Sequence, residues 1–78
     1  MARFIINLNG GESFPVEAST PREAARMARS MSRDIMKYNG VSTLYWVWDE
    51  AEENCLYMVS TVRVRGRMVS EIRNCKNI

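Results

Sequence analysis

The chain has no histidine, only two cysteines and two prolines, and no long apolar run. Without histidine there is no Ser-His-Asp or Cys-His catalysis, no imidazole metal ligand and no side chain that ordinarily titrates near neutrality. Cys55 and Cys75 alone fall short of a tetrahedral zinc site. Their spacing is compatible with a disulfide, but two free thiols in a reducing cytoplasm is the preferred reading. The opening "MARFIINLNGG" has one arginine and a short apolar stretch interrupted by Asn7, too brief and polar for a signal peptide. No segment reaches membrane-spanning length. A cytoplasmic protein without membrane contact is expected. Phosphate loops, nucleophile elbows and catalytic carboxylate pairs are also missing. Gly10-Gly11 follows one strand-like stretch but leads into another, so it does not cradle phosphate. Neither a cofactor, a metal nor an enzymatic activity is expected.

What is present suits one small α+β domain spanning residues 1–78. Hydrophobic residues make up 46% of the 78, enough for one modest core and too many for a disordered tail. The 11 basic and 9 acidic residues leave a net charge of +2, too mild for a general nucleic-acid binder. Where the charges sit therefore matters more than their sum.

Phe4, Ile6 and Leu8 alternate with Arg3, Ile5 and Asn7, the period of a strand. Asn9-Gly10-Gly11 supplies a turn, and Phe14, Val16 and Ala18 mark one face of a second strand. Pro15 cannot donate to a ladder, which places that strand at an edge or turns the position outward. In "STPREAA" Thr20 is an N-cap, Pro21 the first helical residue and Glu23 the partner in a Thr-x-x-Glu capping box. Ala24, Met27, Ala28, Met31, Ile35 and Tyr38 share one helical face, and Asn39-Gly40 ends the helix.

"STLYWVW" is a β-branched and aromatic strand, with Leu44, Trp46 and Trp48 assigned to the core. In "CLYMVSTVRV" the even positions Leu56, Met58, Val62 and Val64 are expected to be buried. Residues 67–78 fit a fifth strand or a short helix, and the strand is preferred. The plan is β-β-α-β-β with a fifth C-terminal strand: a single antiparallel sheet with one amphipathic helix packed on one face.

Arg22, Arg26, Arg29, Arg33 and Lys37 fall within about an 80° sector of the helix, expected opposite the apolar face. An ordinary amphipathic helix also has a polar side, but it mixes signs because like charges four apart repel. A run of cations with no carboxylate among them points to phosphate or an acidic protein surface, both suited to the arginine fork. A second surface is expected on the open sheet face from Tyr45, Tyr57, Arg63 and Arg65. There Ile5, Tyr45, Val47, Tyr57 and Val59 would form an apolar patch suited to a homodimer, formed through this face or through the edge of the C-terminal strand. Asp49, Glu50, Glu52 and Glu53 lack EF-hand spacing and read as a soluble hairpin tip.

The succession of a hairpin, the "ASTPREAARMA" helix, an aromatic strand and a further hairpin resembles very small phage-encoded proteins, among them anti-CRISPR and other host-takeover inhibitors. The likeness is one of architecture, which ribosome-associated domains share, and it transfers no functional residue. It implies a non-enzymatic inhibitor that occludes a bacterial protein or nucleoprotein complex, with the arginine stripe meeting an acidic patch. The runner-up is a sequence-tolerant nucleic-acid binder using the same residues. A third reading is a self-associating structural module.

Overall fold

The structure, a computed structural model, describes residues 1–75. Residues 76–78, the end of the segment that fitted strand or helix, lie outside the described residues. The elements are β1 (Ala2–Leu8), β2 (Ser13–Ala18), α1 (Pro21–Asn39), β3 (Thr43–Asp49), β4 (Cys55–Val64) and β5 (Arg67–Asn74). They form one antiparallel sheet in the order β2-β1-β3-β4-β5, with α1 across one face. The fifth strand is present, and Pro15 lies on edge strand β2, where its missing N–H costs no ladder bond.

Local chemistry sets the ends of α1. Thr20 Oγ1 accepts from the Glu23 backbone N–H at 3.1 Å, and Pro21 begins the helix. The Glu23 carboxylate accepts from the Ser19 hydroxyl. At the other end Gly40 takes φ 68°, and its N–H reaches the Met36 carbonyl. A Cβ there would strain the left-handed conformation.

The core is built on the face opposite to the one assigned from the alternation of β3 and β4. Tyr45, Val47, Val59 and Thr61 are buried against the helix. Trp46, Trp48 and Met58 are only half-buried on the other face, and Val62 and Val64 are exposed there. Register enforces this choice. Phe4 and Ile6 point to the helix, Ile6 pairs with Val47, and Tyr45 pairs with Val59. Because side chains alternate with a period of two, these pairings commit the odd positions of both strands to the helix side. Side-chain volume agrees. Ala24, Ala25, Ala28 and Ser32 present a small-residue face to the sheet. That face brings the helix close enough for valines beneath it and leaves no room for two indoles. A register shift between Val47 and Trp48 places Leu56 as an extra residue, and it packs beside the core.

The helix is also rolled. The expected face of Ala24, Met27, Ala28, Met31, Ile35 and Tyr38 is displaced by about 70°. Ala25, Ser32 and Met36 are buried, whereas Tyr38 is 75% exposed.

Cys55 and Cys75 form a disulfide, with Cα atoms 6.0 Å apart, rather than two free thiols. The sheet explains the pairing. The Tyr57–Asn74 register sets the start of β4 beside the residue that follows β5. Among the described residues, no helix is long and apolar enough to cross a membrane.

Candidate anion-binding surface

Four of the five stripe cations are exposed on α1, and Arg33 is half-buried. After the roll they lie about 120° from the centre of the buried arc rather than opposite it. The stripe therefore leans over β5. Arg33 Nη1 donates to Ser70 Oγ at 2.9 Å, and Ser70 Oγ lies 2.8 Å from Thr61 Oγ1, a fully buried hydroxyl. This chain ties one guanidinium to the sheet and reduces the rotamer freedom it would lose on binding. Arg26, Arg29, Ser30, Arg33 and Ser70 line an open groove of about 470 Å³. Three cations and two hydroxyls meet there without a carboxylate.

Arg22, at the helix N-terminal end, sits 5.8 Å from the centroid of the Tyr57 ring, and Lys37 Nζ lies 5.4 Å from that of Tyr38. The ion pairs among the described residues are Arg3–Glu17 at 3.9 Å and Arg73–Glu71 at 2.6 Å, so neither uses a stripe residue. Five like charges along one helix repel one another. An anion between them would relieve that repulsion.

Ser30 and Ser70 were not singled out from the sequence. Ser70 could have been found there. Once Ile72 is placed inward on a strand, the period of two puts Ser70 on the same side, under the helix.

The expected second surface does not exist as a unit. Tyr45 is buried in the core, where burial pushes its phenol up from the usual range. Tyr57 faces the helix beneath Arg22. Arg63 shares the helix side with Val59 and Thr61 and donates from Nη1 to the Gly66 carbonyl at 3.2 Å. It is therefore on the same side of the sheet as the stripe, not behind it. Arg65 occupies the β4–β5 turn with φ 51°. Of the expected open-face patch of Ile5, Tyr45, Val47, Tyr57 and Val59, only Ile5 is on that face.

The acidic segment is organised around Asp49. Its Oδ2 accepts from Asn54 Nδ2 at 2.7 Å, and its Oδ1 from the backbone N–H groups of Glu53 and Asn54 at 2.9 and 3.3 Å. The Asn54 side chain, with those backbone donors, holds the Asp49 carboxyl below its ordinary range. Asp49 thus serves the turn, while Glu50, Glu52 and Glu53 are exposed at its tip. Glu53 shares a recess with Cys55 and Leu56, and these two share another with Pro21. Glu53 consequently stands towards the N-terminal end of the stripe.

Comparison with protein-family models, with curated proteins and with solved structures gives no match to this chain.

Proposed function

We propose that this chain is a small non-enzymatic binding protein that docks the cationic side of α1 onto an acidic protein surface. The observation that carries this reading is the convergence of Arg26, Arg29 and Arg33 with Ser30 and Ser70 on one groove, with no carboxylate partner to the stripe among the described residues. The bounded length of the stripe favours a protein over a continuous phosphate backbone. A polyanion extended past Arg22 would run towards Glu53, whereas a patch of carboxylates ends where its partner does. On the resemblance to phage-encoded host-takeover inhibitors, the partner is a bacterial protein or nucleoprotein complex whose working surface is occluded.

The test is capture from bacterial lysate with a tagged chain, with and without nuclease, using wild type and the double reversal Arg26→Glu, Arg29→Glu. One stoichiometric protein should be retained after nuclease and lost with the double reversal. The variant should keep wild-type stability to within about 0.5 kcal/mol, because both side chains are in solvent. Retention of the same protein by the folded variant would reduce the stripe to a solvated helix face. Nuclease-sensitive capture, with a log–log salt slope of about −4 to −5 on duplex DNA, would favour the phosphate-binding alternative instead.

A further inference from the structure

The sheet face turned away from α1 carries a row of apolar side chains with no second layer over it among the described residues. Ile5 stands between Pro15 and Trp48, Trp46 is opposite Met58, and Val62 is opposite Val69. Val62, Val64 and Val69 are 43%, 48% and 47% exposed. The indoles are partly covered by their neighbours, and Trp46 Nε1 donates to Asn9 Oδ1 at 3.3 Å. This is an apolar centre of the kind that monomers seldom leave in water.

The charges on this face identify the occupant. Arg3 pairs with Glu17 towards one edge, and Arg73 with Glu71 towards the other. Arg67, beside the β4–β5 turn, is the one further strand cation on that side among the described residues. A face whose rim is nearly neutral does not attract a polyanion, so base stacking on the tryptophans lacks its electrostatic partner. An apolar centre within a polar rim is instead the anatomy of a protein interface. Five strands about 4.8 Å apart and about six residues long cover roughly 500 Å² in plan. Two such faces with side-chain relief bury roughly 1,000–1,200 Å², the lower end for a specific complex. A near-neutral, self-complementary face of that size fits a second copy of the same chain.

We infer that the chain forms a two-fold homodimer in which the open sheet faces pack together as a sandwich, with Trp46, Trp48, Met58, Val62 and Val69 in the seam. Both copies of α1 then point outward, and the dimer offers two cationic grooves on opposite sides. The inference rests on the sheet face and is independent of what the grooves bind.

Sedimentation of the full chain from sub-micromolar to hundreds of micromolar should show the 9.0 kDa species giving way to one of twice that mass. The chain's two tryptophans, Trp46 and Trp48, are both on this face, so acrylamide quenching should fall in step with association. Val62→Glu with Val69→Glu should remain a single chain at every concentration while keeping the wild-type circular dichroism. A single-chain mass throughout for wild type would overturn the dimer. So would association that leaves tryptophan quenching unchanged, a result obtained on wild type and independent of how the variant folds. Persistence of the dimer in the folded double variant would move the contact elsewhere, for instance to the β5 edge, and would also overturn this interface.

Discussion

Arg65 and Gly66 form the two-residue connection between β4 and β5, flanked by the Val64–Arg67 pair, with φ of 51° and 79°. Positive φ at both central positions matches the right-handed strand twist and belongs to the type I′ turn, whose favoured residues are Asn-Gly. Gly66 meets that requirement and Arg65 does not, because a Cβ in the left-handed region crowds the backbone. Arg65→Asn should therefore stabilise the fold by about 0.5–1 kcal/mol, seen as a higher urea midpoint with an unchanged slope. A lower midpoint would show that Arg65 makes a compensating contact. The positive φ at Arg65 was not legible in the sequence, since arginine seldom signals it. Ser70 illustrates the same limit. Its hydroxyl matters only through Arg33 and Thr61, two residues brought to it by folding.

At the level of elements, the boundaries and the inward faces of β1 and β2 were legible, whereas the faces of α1, β3 and β4 were not. Thr20 and Gly40 act through hydrogen bonds to neighbours within a few residues and Pro21 through its own ring, so their chemistry is written locally. The orientation of α1 is not local. Methionine, alanine, isoleucine and tyrosine occupy about half the helix circumference, and sheet contact selects an arc within it. Small residues won, because Ala24, Ala25, Ala28 and Ser32 allow close approach. Strand β3 has apolar residues on both faces, which identifies a strand without saying which side is inside. The roll predicts a contrast between two neighbours. Met36→Ala should lose about 2–4 kcal/mol, whereas Tyr38→Ala should change stability by no more than about 0.5 kcal/mol. Chemical denaturation measures both, and the reverse order would restore the face assigned from periodicity alone.

For the whole molecule, a chain this small depends on whatever restrains its unfolded state. The Cys55–Cys75 bridge closes a loop of sequence separation 20. On the chain-entropy account such a loop contributes about 3 kcal/mol. The β4–β5 hairpin already brings the two ends together in the native state, but it does not do so after unfolding. Reduction, or the paired Cys55→Ser and Cys75→Ser replacement, should therefore lower the unfolding free energy by up to about 3 kcal/mol. The measurement is a urea titration with and without reductant, and coincident curves would deny the bridge its role. A bonded pair is at home in an oxidising compartment, unlike the free thiols first expected from the cysteine count. The pairing depends on β4 and β5 being neighbours, which the count alone could not reveal.

The strand order carries a kinetic consequence. β1 and β2 are joined by a hairpin, as are β3 and β4, and β4 and β5. Only the pairing of β1 with β3, from Ile6 to Val47, must close around the whole helix. The local hairpins and α1 can each start forming before distant parts of the chain meet, so loop-closure entropy concentrates in that one central seam. The folding nucleus should therefore consist of Ile6, Val47 and the alanines above them. The hairpin tips, including the Arg65-Gly66 turn, would then influence how long the folded chain lasts more than how fast it forms.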